Sequence, residues 1–103
     1  MAVLCLAAWG AAGAAADAPA EERRRQLLEL VRQDCGACHG LTLKGGLGPD
    51  LRPSALAHKD PEQLRFVVLH GRRGTAMPPW SRFLTEAEAS WVVEALRRGL
   101  PRE

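Results

Sequence analysis

The sequence predicts an all-α fold of three to four helices in one small domain. Three stretches carry that reading. Each repeats apolar residues at three- and four-residue steps, and each begins or ends on residues that favour a helix boundary. At 103 residues the chain is long enough for one domain only. A core of that size is marginal by itself, so a staple such as a metal or a covalent cofactor is expected.

The first stretch runs from Glu21 to about Asp34. Glu21 and Glu22 sit in its first turn, where negative charge suits the helix dipole. Leu27, Leu30, Val31 and Cys35 fall on one face. Arg23, Arg24 and Arg25 read as a solvated face. The stretch leads into Cys35-Gly36-Ala37-Cys38-His39, a C-x-x-C-H pentapeptide and the attachment signature of a c-type haem. Two thiols on one helical turn can each add to a vinyl group of the same porphyrin, and the adjoining imidazole then lies beneath the iron as its proximal ligand. A thioredoxin-type redox pair belongs at the end of a strand, and no β-branched alternating run precedes Cys35. A zinc site needs four ligands, and the remaining candidates, Cys5, His58 and His70, are scattered singletons. The helices are therefore expected to pack around one covalently attached haem c.

From Gly40 to Ala57 the helical period disappears, and Gly40, Gly45, Gly46, Gly48, Pro49 and Pro53 break regular structure. A loop of that length in a small domain points to function. Within Gly48-Pro49-Asp50-Leu51, the Pro49 carbonyl is a candidate acceptor for His39 Nδ1, fixing the tautomer and orientation of the ring. Leu51 is expected against the porphyrin. Asp60-Pro61-Glu62-Gln63 is a helix start, with Asp60 as the cap, Pro61 in the first turn and Gln63 at the capping-box position. Leu64, Val67 and Val68 give that helix its apolar face, and Gly71 ends it.

Met77 follows in the loop Gly74-Thr75-Ala76-Met77-Pro78-Pro79-Trp80, 38 residues after His39. A thioether is a soft, neutral ligand that favours ferrous iron, so His39/Met77 ligation would raise the reduction potential. Apart from the initiator, Met77 is the only methionine, and it is the candidate distal ligand. His58 and His70 read instead as exposed or capping side chains. Thr85-Glu86-Ala87-Glu88 is a capping box that opens the last helix, which runs to about Arg98 with Gly99 as its stop. Trp91, Val92, Ala95 and Leu96 line one face, with Trp91 expected to pack near Leu27 and Leu30.

Residues 1–16 carry no charge and resemble the apolar core of a cleavable secretory signal, with Ala14-Ala15-Ala16 as the cleavage site. No basic residue precedes the apolar run, so the leader reads as truncated at its start. Residues 17–103 form the haem domain. An apolar stretch this short is weak for a membrane span, and none is expected after processing. Residues 40–82 hold seven basic residues against three acidic ones, a net charge of +4. That segment is a candidate to steer an acidic partner, while Arg72 or Arg73 is alternatively a candidate for a haem propionate. The basic balance is too mild, and too poor in stacking aromatics, for nucleic-acid binding.

The order of helix, Cys35-Gly36-Ala37-Cys38-His39, loop with Gly48-Pro49-Asp50-Leu51, helix, Ala76-Met77-Pro78 and helix resembles the class I cytochrome c family across the whole mature chain. The wording around it is similar to the NirC cytochromes: Thr42-Leu43-Lys44-Gly45-Gly46-Leu47-Gly48-Pro49, His70-Gly71-Arg72 and Gly74-Thr75-Ala76-Met77-Pro78-Pro79-Trp80. These are small periplasmic cytochromes of denitrifying bacteria, encoded beside the haem-d-containing nitrite reductase. The resemblance implies the class I cytochrome c fold, thioether bonds at Cys35 and Cys38, and axial ligation by His39 and Met77. It implies a periplasmic, monomeric electron carrier rather than an enzyme, with nitrite reductase as the expected redox partner. Two alternatives stand beside it. One is delivery of electrons or cofactor during maturation of that reductase's haem d. The other is a ligand-binding sensor or peroxidase-like enzyme with a labile Met77.

Overall fold

The computed structural model describes residues 19–101, all of them in helices, turns and loops with no strand among them. The expected signal segment, residues 1–16, lies outside the described residues. Among those described, no helix is long and apolar enough to cross a membrane. In chain order the elements are α1 (Glu21–Leu30), a π-helical turn (Val31–Cys35), α2 (Gly36–His39), α3 (Pro53–Leu56), α4 (Pro61–His70) and α5 (Glu86–Arg98).

Helices of ten to thirteen residues are marginal alone in water, so packing decides their stability. Leu27 and Val31 from the first helical path and Val92 from α5 are the largest fully buried side chains. Each contributes roughly 1.5–3 kcal/mol on leaving water. Leu43, Leu56, Leu84 and Leu96 complete the cluster, with Leu30, Leu51, Leu64, Val68, Trp80 and Trp91 packed against it. Most of the expected faces are found here, and the structure adds Leu69, the one buried residue of α4, and Ala89 and Val93 of α5. α5 starts on the capping box read from sequence. Thr85 Oγ1 accepts from the Glu88 backbone N–H at 3.1 Å, and Glu88 Oε1 accepts from the Thr85 N–H at 2.9 Å. The starts of α1 and α5 are joined by an ion pair between Arg23 and Glu88.

Three details differ from the sequence expectation. The first helix does not run uniformly to Asp34. It widens after Leu30 into the π-helical turn, where the Gly36 N–H reaches back five residues to the Val31 carbonyl. At α4, Asp60 caps as expected, but its carboxylate accepts from the Glu62 N–H at 3.0 Å rather than forming a box with Gln63. The long loop is also less irregular than its composition. Pro53 opens the one-turn α3, because its fixed φ suits the first helical position. Leu43 is drawn out of the same loop into the core at a φ of 60°, a backbone region that β-carbon sterics disfavour. Burial of its side chain and a 2.8 Å bond from the Leu51 N–H to its carbonyl hold it there.

Candidate functional site

The helices leave a cavity of about 600 Å³ between α2, α4, α5 and the loops that follow α2 and α4. Its size falls in the range of cofactor sites, and its walls are mainly apolar, as such sites are. Cys35, Cys38 and His39 form one wall, with Pro49 and Leu51 beside them. Leu64, Val67 and Val68 of α4 and Val92, Val93 and Leu96 of α5 form the sides. Met77, Pro78 and Trp80 come in from the loop after α4. Every residue that the sequence nominated for the site, Cys35, Cys38, His39, Pro49, Leu51 and Met77, lines this one cavity. His58 and His70 do not. Both are exposed, and His70 lies against Phe66 with ring centroids 4.6 Å apart.

The imidazole wall is built by two returning loop segments. The last carbonyls of α2 need partners that the helix cannot supply. The Gly48 N–H donates to the Cys38 carbonyl and the Gly45 N–H to the His39 carbonyl, each at 2.8 Å. The return brings the Pro49 carbonyl to 2.8 Å from His39 Nδ1, as expected from the sequence. That contact makes Nδ1 the protonated nitrogen and leaves Nε2 with its lone pair free for a metal. The ring is 8% exposed and lies directly on Gly48. A β-carbon at that position would stand 2.4 Å from Cε1, 2.5 Å from Nδ1 and 2.9 Å from Nε2 of His39. Only a residue without a side chain fits there. In the sequence Gly48 reads as a turn residue, and nothing local signals its contact with the ring.

Burial pushes the Cys35 thiol up to about 11, with the Asp34 carboxylate and the neighbouring Cys38 adding to the effect. Asp50, at the cavity edge, is committed to Arg52 by a bidentate contact whose shorter arm is 2.7 Å. Those hydrogen bonds hold its carboxyl below the ordinary range. The cations lining the cavity are Lys59 and Arg72, and neither has an ion-pair partner among the described residues. Arg73 does not line it, which separates the two arginines that the sequence left equivalent. Leu47 borders the cavity yet is 89% exposed, so the cavity meets solvent beside it.

An apolar slot with two thiols and an imidazole on one wall and a thioether in its lining has the donor set for a covalently held haem. Fold and cavity together define a small c-type cytochrome. Residues 22–94 match the family model described as cytochrome c oxidase, cbb3-type, subunit III, and the chain belongs to that family of c-type cytochromes. It is 49% identical over 89 residues to cytochrome c55X of Stutzerimonas stutzeri, covering 86% of this chain and 79% of that protein. The solved structure of the c-type cytochrome NirC superimposes with a TM-score of 0.78 at 50% identity, over 80% of this chain and 96% of that one. A third relative is the dihydro-heme d1 dehydrogenase of Pseudomonas aeruginosa, 42% identical over 94 residues. That match spans 91% of this chain but only 18% of the larger protein. Membership of the family implies covalently bound haem c and electron transfer as the class of function.

Proposed function

We propose that residues 17–103 form a periplasmic mono-haem carrier of single electrons, released from a leader at residues 1–16. In this reading Cys35 and Cys38 form thioether bonds to one haem c, His39 is its proximal ligand and Met77 its distal ligand. The observation that carries the reading is that both thiols, the oriented imidazole and the one thioether of the domain line a single cavity. When bound, the haem supplies an iron that cycles between the ferrous and ferric states. With His39 and Met77 both holding the iron, no position would be left for substrate, which suits a carrier rather than an enzyme. Pro49 fixes the imidazole, Leu51 would pack against the porphyrin and Arg72 would neutralise a propionate. Leu47 marks where the haem edge meets solvent and a partner.

The partner in this reading is the haem-d-containing nitrite reductase of denitrification. Two of the seven basic residues in 40–82 are absorbed by ion pairs, Arg52 with Asp50 and Arg65 with Glu62. With Arg72 committed to a propionate, Lys44, Lys59, Arg73 and Arg82 remain to attract an acidic patch. Stopped-flow mixing of the reduced protein with that reductase tests this. Rapid oxidation of the carrier that slows steeply between low and physiological salt is expected, because exposed charges are screened over about 10 Å at 0.1 M. No oxidation at any salt concentration would sink the carrier role.

A second reading, electron or cofactor delivery during maturation of haem d, is favoured by the likeness to the dihydro-heme d1 dehydrogenase. A deletion strain separates the two. Loss of a carrier leaves the reductase loaded with haem d but poorly supplied with electrons. Loss of a maturation factor leaves it without haem d.

A further inference from the structure

The loop that carries Met77 leaves α4 and returns to it. The Gly71 N–H donates to the Val67 carbonyl at 2.8 Å, closing the helix. The chain then passes through Arg72–Ala76, all exposed, before Met77. Pro78 and Pro79 have no N–H to offer, and the next two residues re-engage the helix. The Trp80 N–H donates to the Val68 carbonyl and the Ser81 N–H to the Leu69 carbonyl, each at 3.0 Å. Three carbonyls at the end of α4, those of Val67, Val68 and Leu69, thus find donors on the two sides of the methionine. Between those anchors the Met77 backbone makes two long contacts, each of 3.3 Å: its carbonyl accepts from the Arg72 N–H and its N–H donates to Thr75 Oγ1, both within the loop.

The Met77 carbonyl rests on Gly71. A β-carbon there would stand 2.6 Å from the Met77 oxygen and 3.0 Å from both the Pro78 carbonyl carbon and the Pro79 nitrogen. The obstruction is backbone, which cannot swing aside as the end of a flexible side chain can. Gly71 also has a φ of 71°, which alone would favour glycine. Gly74, three residues on, has almost the same φ, 76°, but nothing lies within 4 Å of its β-carbon position. Two glycines of one loop therefore share a positive φ, and only one of them lies against the methionine peptide.

We propose that Gly71 is a positioning residue for the distal ligand. Its missing side chain lets the Met77 peptide seat on the end of α4, and that seat holds the thioether over the cavity. The proposal rests on the reading of Met77 as the distal ligand. It predicts that substitution at 71 opens the distal position, whereas substitution at 74 strains the backbone without opening it.

The test is carbon monoxide binding to the ferrous holoprotein, with the reduction potential measured alongside, for wild type, Gly71→Ala, Gly74→Ala and Met77→Ala. Gly71→Ala is expected to bind carbon monoxide at least about tenfold more tightly than wild type, because apparent affinity scales with the open population. Its potential should fall towards that of Met77→Ala, since loss of the thioether removes a ligand that favours ferrous iron. Gly74→Ala should match wild type in both measurements. Wild-type behaviour of Gly71→Ala overturns the proposal, as does equal opening in the two glycine variants. If Met77→Ala itself leaves both measurements unchanged, the distal-ligand reading fails first, and the seat fails with it. Should Gly71→Ala not load haem, Gly71→Asn puts a β-carbon at the same place on a residue type that tolerates positive φ better than Ala, although the ψ of −173° still favours glycine. Failure of both to load would assign Gly71 to folding and overturn a role in seating the ligand.

Discussion

The two walls of the cavity are built by one device and used differently. In each, a loop turns back and caps the carbonyls at the end of a helix: Gly45 and Gly48 for α2, Trp80 and Ser81 for α4. On the imidazole side the candidate ligand belongs to the capped helix itself. His39 is fixed by α2, by the Pro49 carbonyl and by contact with Gly48. On the thioether side the candidate ligand belongs to the capping loop. Met77 is held through its peptide, between exposed residues on one side and two prolines on the other. One wall is over-determined, and the other rests on the Gly71 seat with two long 3.3 Å contacts inside the loop. Changes at the first should therefore cost the fold, and changes at the second should tune ligand exchange while the fold persists.

The largest effect should come from removing the covalent anchors. In Cys35→Ala/Cys38→Ala no haem should remain attached after denaturing electrophoresis, and the chain should lose its folded helical signal in circular dichroism. Loss of the occupant would return the mainly apolar walls of a cavity of about 600 Å³ to water, which at about 25 cal/mol per Å² of apolar surface costs several kcal/mol. That is comparable to the whole stability of a small domain. A fully helical, cooperatively melting apoprotein would show that the cavity does not need its occupant. The assignment of over-determination to the imidazole wall would then fail.

Next in size is Gly48→Ala. Its β-carbon meets three ring atoms of His39 at 2.4–2.9 Å, and overpacking of this kind typically costs 1–3 kcal/mol. The holoprotein should show that loss in chemical denaturation, and haem loading should fall with it. Gly74→Ala on the other wall meets nothing and pays only for its positive φ, about 1 kcal/mol. If the two substitutions cost the same, the walls do not differ in the way proposed.

How much of this was legible in the sequence depends on the range of the interaction. The pentapeptide, the α5 capping box and the Asp60-Pro61 helix start are signalled by neighbours within five residues, and all are found where the sequence puts them. The His39 contact with Pro49 was legible because a proline carbonyl ten residues on is a free acceptor beside a loop that must return. The π-helical turn was not legible, because Val31–Cys35 keeps an ordinary helical apolar pattern and the extra residue per turn has no compositional mark. Leu43 was hidden in a glycine-rich loop, since nothing local says that this leucine turns inward. In the sequence Gly48 reads as a turn residue and Gly71 as a helix stop. Their close approaches to His39 and to the Met77 peptide depend on where the chain returns, and only the fold shows that.

The smallest expected effect lies away from both walls and serves as their control. Glu88 belongs to the α5 cap and pairs with Arg23 of α1, and neither residue lines the cavity. The Arg23 guanidinium, followed by the Thr85 backbone N–H, holds the Glu88 carboxyl below its ordinary value of 4.5. A carboxyl lowered by folding adds stability that is present above its unfolded value and disappears as pH falls through the folded one. Wild-type stability should therefore decline below about pH 4.5 in part through this group. Glu88→Gln, which retains an acceptor for the cap, should remove that part of the pH dependence. At neutral pH the substitution should cost no more than about 1 kcal/mol, the scale of a partly exposed ion pair. Thermal melts of both proteins from pH 3 to 7 provide the measurement. Carbon monoxide binding to the ferrous form should match wild type throughout the neutral range. If Glu88→Gln instead opens the distal position, the Met77 loop is coupled to the α1–α5 contact, and its control cannot lie in the Gly71 seat alone.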